Sequence, residues 1–403
     1  MPVYQYIAKR LDGRTARGEE EAPNKKELAQ ILKSKGCFLV TANLQKNKLS
    51  LGRFIPKIKY IPISQKLLVT QNLQVLIAAG VSLPRSLEVL QKQVQSRYFK
   101  NILTEARALI LKGSSLSDSL ANFPNVFPDI YISLIRVGEK TGNLEGVLKI
   151  LTDQLDRSYQ LRSKIRGAML YPSVIVSTMV LIGVVMMIKV IPQLSQTFEE
   201  LQVELPVVTK VVIAIGNFFV NYWLLALIIL AVFLFSVFLF LKTKIGKRVT
   251  HSLFLKLPIL GPLTKKINAA FTAMSLSALV QGGVPIVSAI SIASDSVSNY
   301  HFKKALKQVA RKVEKGNKLS KAVAKYEDLY SPLFVQMLQV GEETGATSEM
   351  LLKLSEFYED QVNNTTKNLS SIIEPVLLLL IGLAVGVFAV SVMQPIYSIM
   401  SSM

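Results

Sequence analysis

Three long stretches of this chain contain no charged residue, and they constrain its fold more than any other feature. They cover residues 167–188, 211–241 and 375–403, and each is strongly apolar. Charge-free apolar runs of about 18 residues or more are typical of helices that span a membrane. The sequence therefore predicts three transmembrane helices and excludes a purely soluble protein.

The rest of the chain has the composition of a soluble protein. The 403 residues include 47 Lys and Arg and 27 Asp and Glu, all of them outside the three stretches. A transporter or channel, the alternative from another functional class, would place several ionisable groups inside its spans. These span interiors are charge-free, so a cytoplasmic protein with membrane anchors is favoured.

The distribution of charge predicts which segments face the cytoplasm. The first residues lack the apolar core of a signal peptide, so the chain is expected to begin where it is made. Residues 1–166 carry a net charge of +14, residues 242–374 carry +7, and residues 189–210 carry −1. Because cytoplasmic segments are enriched in Lys and Arg, the first two segments are predicted inside, and the connector and C-terminus outside.

The basic excess also bears on the partners. Lys and Arg are spread through amphipathic helices and flank the spans, without the interleaved aromatic residues of a nucleic-acid surface. We therefore expect no nucleic acid, and favour anionic lipids and an acidic protein partner. The basic linker over residues 46–66 is expected to run along the anionic inner leaflet.

An internal repeat relates the two halves of the chain at a constant offset of 203 residues. The aligned positions are Gly80 with Gly283, Gly113 with Gly316, the motif Gly138, Glu139 and Gly142 with Gly341, Glu342 and Gly345, and Pro172 with Pro375. Each repeat thus combines a cytoplasmic domain with one span. The second span is the additional element that returns the chain to the cytoplasm.

Apolar periodicity predicts that each repeat is a bundle of about six short helices, with Gly80 and Gly283 as left-handed helix caps. In the first repeat the predicted helices cover residues 63–79, 85–95, 97–112, 116–122, 129–137 and 144–166. The first 60 residues have no second copy in the chain. Their pattern predicts a small module of strands and a helix. The predicted fold is an all-α membrane protein with two homologous cytoplasmic bundles, three transmembrane helices and this N-terminal module.

The predicted boundaries follow from these patterns. They are 1–60 for the module and linker, 61–170 for the first bundle, 171–191 for span 1, 192–212 for the external connector, 213–241 for span 2, 242–372 for the second bundle, 373–398 for span 3 and 399–403 for the external C-terminus.

The doubled Val-Gly-Glu motif, the Tyr-x-Tyr-x-Ala start and the three spans in this order resemble the inner-membrane platform proteins of type IV pili and type II secretion systems. The resemblance covers essentially the whole chain. It implies a non-catalytic platform in the bacterial inner membrane, commonly a dimer. The implied partners are a hexameric cytoplasmic motor ATPase, pilin subunits and other inner-membrane pilus alignment proteins. A type IV pilus platform is the main hypothesis, and a type II secretion platform is the alternative.

The repeated motif has two interpretations. Glu139 and Glu342, with the glycines around them, could form a contact surface for a partner. Alternatively, the glycines supply positive φ angles and each Glu satisfies amide groups at a helix terminus, which is the favoured interpretation.

The junctions with the membrane supply further candidates. Pro172 and Pro375 could be hinges, although a proline in the first turn of a helix is the favoured interpretation. Glu374 lies at the mouth of span 3 and could pair with a basic group or lie among lipid headgroups. Gly382 and Gly386 have the Gly-x-x-x-Gly spacing of closely packed helices, and could pack span 3 against span 1 or against a second copy.

Neither catalysis nor a bound cofactor is expected. Gly246 and Lys247 form the only Gly-Lys pair and lack the upstream glycine of a phosphate-binding loop. One cysteine, Cys37, and two histidines are too few for a zinc site. The resemblance implies that some relatives bind a divalent cation at acidic residues in the first domain, where Glu139 could take part; because Glu139 has no clustered carboxylates beside it, we predict no metal site.

Overall fold

The computed structural model describes residues 3–10, 15–44, 61–193, 196, 210–211, 214, 216, 218, 222–258 and 260–402. Two units are present, residues 1–59 and 60–403. Residues 46–60 of the predicted basic linker, most of the predicted external connector and most of the beginning of the predicted span 2 lie outside the described residues.

The N-terminal unit is a small sheet with one helix. Strands β1 (Val3–Arg10), β2 (Thr15–Glu21) and β3 (Cys37–Leu44) pair antiparallel in the order β2-β1-β3, and helix α1 covers Lys25–Ser34. Alternate β1 residues Tyr4 and Ala8 are buried with Leu28 and Leu32 of α1. Asn24 begins the helix, since its side chain accepts a hydrogen bond from the Glu27 amide at 2.9 Å. The predicted module of strands and a helix is confirmed.

The second unit is helical throughout its described residues. Its helices are α2 (Ile63–Ala78), α3 (Leu83–Gln93), α4 (Arg97–Leu111), α5 (Leu116–Ala121), α6 (Asp129–Thr141), α7 (Leu144–Val185), α8 (Trp223–Lys242), α9 (Lys244–Lys256), α10 (Leu260–Gln281), α11 (Ile286–Ser296), α12 (Tyr300–Glu314), α13 (Leu319–Val323), α14 (Pro332–Thr344) and α15 (Thr347–Ser402).

The helices confirm the repeat. Helices α3, α4 and α6 have the same bounds as α11, α12 and α14 after the offset of 203 residues, and α7 and α15 begin at equivalent positions. The two six-helix sets are therefore α2–α7 and α10–α15. Helices α8 and α9 connect them.

The two repeats share one hydrophobic core. Ser158 Oγ of α7 lies 3.2 Å from Met274 Sδ of α10, and the Arg162 guanidinium lies 5.3 Å from the centre of the Phe271 ring. Helices α7 and α15 also pack against each other. Displacement of one repeat will therefore be transmitted to the other, because close-packed interiors do not deform freely.

The last helix of each repeat belongs both to the core and to an apolar extension. Helix α7 buries Val147, Leu148 and Leu151 in the core and then continues without interruption through Pro172. Helix α15 continues in the same way through Pro375. The expectation that these prolines occupy the first turn of a helix is wrong, because both lie in helix interiors.

Two described helical segments, Leu144–Gln193 and Thr347–Val390, are long and apolar enough to cross a membrane. The first contains the predicted span 1 over residues 171–191, and the second contains the predicted span 3 from residue 373 to residue 390. The described part of the predicted span 2 is the apolar helix α8, which ends at Lys242.

Candidate functional site

The glycines of the repeated motifs lie where the chain reverses between helices. Six of them have φ angles between 70° and 94°, namely Gly80, Gly113 and Gly142 with their equivalents Gly283, Gly316 and Gly345. Left-handed backbone is strained for residues with a Cβ atom. At Gly142 and Gly345 this conformation ends α6 and α14 and starts the turn into α7 and α15.

Glu139 and Glu342 cap the short helix that precedes them in each repeat. One carboxylate oxygen of Glu139 accepts a hydrogen bond from the Leu116 amide, and the other accepts from the Ser117 amide at 3.0 Å. Amide groups in the first turn of a helix have no partner within the helix, so a carboxylate stabilises them and the positive end of the dipole. Through these two hydrogen bonds, Glu139 of α6 is connected to the N-terminus of α5.

The second repeat forms the same contacts. Glu342 accepts from the Leu319 amide at 2.5 Å and from the Ser320 amide at 3.1 Å, and the Ser320 hydroxyl donates to it as well. Both carboxylates are therefore occupied by their own fold. This geometry favours the structural interpretation of the motif over a surface that contacts a partner.

Gly138 and Gly341 allow two helices to approach closely. A Cβ atom at Gly138 would lie 3.0 Å from the Val147 Cβ and 3.2 Å from the Leu144 Cα. At Gly341 it would lie 2.9 Å from the Thr347 Cα. The motif glycine therefore sets the separation between α6 and α7, and between α14 and α15.

A buried hydroxyl pair in each repeat was not predicted. The Thr70 and Tyr131 hydroxyls lie 3.0 Å apart, and the Thr272 and Tyr330 hydroxyls lie 3.2 Å apart. Burial raises the pKa of Tyr131 to about 12 and also raises the pKa of Tyr330, in each case opposed by the threonine hydrogen bond. These pairs join the first helix of each repeat to the aromatic residues around α6 and α14.

The alignment of the two repeats at an offset of 203 residues does not match these two hydroxyl pairs to each other. Tyr131 aligns with Phe334 and Tyr330 aligns with Phe127, while Thr70 and Thr272 also fail to align. Each repeat therefore contains a tyrosine-threonine hydrogen bond, but neither the two tyrosines nor the two threonines occupy equivalent positions in the repeats. The sequence carries no local signal for such a compensation.

Arg157 joins the two long helices by ion pairs. Its guanidinium lies 2.9 Å from Glu356 and 3.7 Å from Glu359 of α15. Burial raises the pKa of Glu359, and Arg157 partly opposes this shift. Because Arg157 is only 31% exposed, this contact is better shielded from solvent than an ordinary surface pair.

The membrane-junction candidates do not meet within the described chain. Glu374 is exposed and has no ion pair among the described residues. A Cβ atom added at Gly382 or Gly386 would have no described neighbouring atom within 4 Å. These glycines therefore do not pack against span 1. They remain available to a second copy.

Among the described residues, no group of three or more His, Cys, Asp and Glu side chains is placed to hold a metal ion. A cavity of about 230 Å³ lies between the repeats, lined by Lys66, Asp129, Arg162, Ser275 and Asp295, among others. Burial lowers the pKa of Lys66, and the nearby Arg162 lowers it further.

This architecture defines a helical repeat protein whose two final helices extend into apolar segments of membrane-spanning length. A family model described as type II secretion system (T2SS), protein F, matches residues 69–192 and again residues 272–395. A model for the N-terminal domain of the same protein matches residues 1–43. The chain belongs to the type II secretion system protein F family, which confirms the resemblance inferred from the repeated motif.

Similar proteins include members with two kinds of name. The chain is 30% identical to the type IV pilus assembly protein PilC of Thermus thermophilus, over all of this chain and 99% of that protein. It is 28% identical to PilC of Myxococcus xanthus, over 98% of this chain and 94% of that protein. It is also 28% identical to the type II secretion system protein F of Xanthomonas campestris, over 99% of each.

Proposed function

We propose that this protein is the inner-membrane platform of a type IV pilus assembly machine, and that it couples a cytoplasmic motor ATPase to the insertion of pilin subunits. The observation that carries the proposal is the full-length similarity to proteins named for type IV pilus assembly, at up to 30% identity. The doubled helical repeat, each copy continuous with an apolar helix, supports a mechanical role.

The long helices are suited to transmit movement. At 1.5 Å per residue, the 42 residues of α7 extend over about 60 Å and the 56 residues of α15 over about 80 Å. Their N-terminal parts are held in the shared core, and Arg157 links the two helices within this region. A push or rotation applied to either repeat therefore moves both apolar segments together.

Pro172 and Pro375 provide a candidate flexible point in each of the long helices α7 and α15. Proline has no backbone N–H, so a helix that contains it lacks one hydrogen bond at that position and bends more readily. We propose that the cytoplasmic core moves as one body and that the two helices bend near these prolines.

The proposed topology has the N-terminus and both repeats in the cytoplasm, and the connector and C-terminus outside. It follows from the charge distribution and the positive-inside rule. The proposed partners are the hexameric motor ATPase, pilin subunits, other inner-membrane pilus alignment proteins and a second copy of this chain. The proposed domain boundaries are those derived from the sequence.

The motor-binding surface is proposed on the turn between α12 and α13 and on α13 itself. Lys315, Lys318 and Lys321 are exposed there and have no ion pair among the described residues. Their reversal to Glu should abolish co-purification of the motor ATPase, whereas their replacement by Arg should preserve it. Unchanged capture by the Glu variant would contradict this surface.

A platform of a type II secretion system is the second candidate function. It is favoured by the match to the protein F family model in both repeats and by full-length relatives with that name. Pilus and secretion platforms share this fold, so the distinction requires a biological readout.

Deletion of the gene, followed by imaging of surface pili and an assay of protein secretion, separates the two candidates. Loss of pili with normal secretion supports the pilus platform. Loss of secretion with normal pili supports the alternative. A deletion strain that keeps both would contradict the proposed function in either form.

A further inference from the structure

Helix α9 has an apolar stripe that no described part of the chain covers. Ile245, Val249 and Leu253 are 72%, 50% and 57% exposed, and their spacing of four residues places them on one side of the helix. Exposed apolar residues that are contiguous on one face mark an interaction surface.

The position of α9 in the chain indicates what covers this stripe. The apolar helix α8 ends at Lys242, and α9 begins at Lys244, so only Thr243 separates them. If α8 lies in the membrane, as the proposed function requires, α9 begins at the cytoplasmic surface of the bilayer. The stripe is therefore continuous with a membrane-embedded surface.

The bend between the two helices is built into the structure. The Thr243 side chain accepts a hydrogen bond from the Gly246 amide at 2.9 Å and donates to the Phe240 carbonyl at 2.7 Å. A Cβ atom at position 246 would overlap the Phe240 carbonyl oxygen, so a glycine is required for this approach. The chain is thus redirected sharply at the end of α8 instead of continuing along its axis.

Helix α9 is also attached to the second repeat. Ser252 Oγ lies 2.7 Å from His301 Nε2, and His251 Nδ1 accepts a hydrogen bond from the Tyr300 amide at 2.9 Å. These contacts determine which face of α9 remains exposed. They also mean that the helix is attached to the repeat and does not move as a free segment.

The charge of α9 complements an anionic lipid surface. The helix contains no acidic residue, and Lys247, Arg248 and Lys256 form no ion pair among the described residues. A cavity of about 540 Å³ beside it is lined by Lys256 and three further lysines, 265, 304 and 325, with Asp328 as the only acid. Each cation near an anionic leaflet contributes about 1 kcal/mol of attraction.

Nearby basic residues contribute to lowering the pKa values of the two histidines. Burial lowers the pKa of His301, and Arg248 and Lys304 lower it further. Burial also lowers the pKa of His251, followed by contributions from His301 and Lys247. These neighbouring cations, together with the absence of acidic residues from α9, favour a negatively charged neighbour.

We propose that helix α9 lies on the cytoplasmic leaflet of the membrane, with Ile245, Val249 and Leu253 among the acyl chains and its cations among anionic phospholipid headgroups. Basic helices with an apolar face insert in this way to about 5–10 Å. The second repeat is thus held against the membrane surface through α9 as well as through α15.

The test uses the full-length protein in lipid nanodiscs of phosphatidylcholine and phosphatidylglycerol. Because Cys37 is the only cysteine, a Cys37→Ser background allows a single fluorescent label to be placed at Val249→Cys. Val232→Cys in α8 is the membrane reference. Glu314→Cys is the cytoplasmic reference, since it is exposed at the end of α12, about 20 Å from the contact with α9.

A nitroxide-labelled lipid should quench the label at 249 several times more strongly than the label at 314, and to an extent similar to that at 232. Replacing phosphatidylglycerol by phosphatidylcholine, or Lys247 and Arg248 by Gln, should reduce the quenching at 249 and leave 232 unchanged. This result supports the proposal.

Quenching at 232 without quenching at 249 would overturn the proposal and leave the membrane location of α8 intact. Disulfide cross-linking between the 249 cysteines of two copies, without quenching, would overturn it in favour of a contact between copies. Absence of quenching at both 232 and 249 would overturn it together with the proposed membrane location.

Discussion

The contacts of Glu139 and Glu342 lead to a prediction that separates the two interpretations of the repeated motif. Each carboxylate accepts hydrogen bonds from two amide groups at the beginning of a short helix. Replacement by Ala leaves those amides without a partner, and half-buried surroundings limit the access of water to them. We therefore expect either substitution to destabilise the folded protein.

The magnitude follows from the number and kind of the bonds. A hydrogen bond to a charged group contributes about 1.5–3 kcal/mol, and partial access of water reduces the loss for a pair of them to about 2–3 kcal/mol. For a unit of this size the loss corresponds to a fall of about 5 °C in the melting temperature. Glu139→Gln keeps an acceptor oxygen but loses the charge, so it should cost about half as much.

The measurement is thermal unfolding of the full-length protein in detergent, combined with an assay of pilus assembly. Glu343→Ala is the matched control, because Glu343 is exposed and, among the described residues, its carboxylate accepts a hydrogen bond only from the neighbouring Gln339 side chain, at 2.9 Å. It should change the melting temperature by less than about 1 °C. Glu342→Ala should cost at least as much as Glu139→Ala, since the Ser320 hydroxyl also donates to Glu342.

The reasoning would be refuted by a Glu139→Ala protein with an unchanged melting temperature that no longer supports pilus assembly. That result would mean that the carboxylate acts on a partner and that its contacts with α5 contribute little. A parallel loss of stability and assembly, with normal assembly restored at lower temperature, is the expected outcome.

Further predictions concern packing, alkaline pH and the junction between the long helices. Gly138→Ala should destabilise by about 1–3 kcal/mol because its Cβ would press on α7, whereas Gly167→Ala, at an open helical position, should not; both are measured by thermal unfolding. The pKa of Tyr131 is raised to about 12 in the folded protein and is about 10 in the unfolded chain. Its contribution to the free energy of unfolding should therefore be fully present below pH 10 and lost as the pH rises toward 12. Tyr131→Phe should weaken this alkaline loss of stability in pH-dependent melting curves. Arg157→Glu should lower the melting temperature by placing a third negative charge beside the carboxylates of α15, and Glu356→Arg in the same chain should recover part of that loss, measured as a double-mutant cycle.

Much of the candidate site could be predicted because its signals are local. A glycine that ends a helix, a carboxylate three residues before such a glycine, and the recurrence of both at one offset are all visible along the chain. The structure places Gly142 and Gly345 at left-handed helix ends, and the carboxylates of Glu139 and Glu342 accept hydrogen bonds from helix amides. The identity of the capped helix could not be predicted, since its amides lie more than twenty residues before the carboxylate.

The continuity of the long helices was missed for a different physical reason. At Gly167 the pattern changes from one apolar face to apolar residues on all sides, and a proline follows, so the sequence indicates two elements. The backbone nevertheless continues as one helix from Leu144 to Val185. A change in surroundings from core to lipid alters which side chains are favoured but does not require a break in hydrogen bonding.

The sequence by itself determined the repeat, the starts of most helices in the first repeat, the apolar stretches and the family, because each depends on spacing along a single chain. Only the tertiary structure decided that the two repeats share a core, that Arg157 joins α7 to α15, and that the Thr70 and Tyr131 hydroxyls pair while their equivalents pair at shifted positions. These contacts join residues from about 60 to 200 positions apart. They depend on the three-dimensional fit of particular side chains, and periodicity along the chain carries no information about that fit.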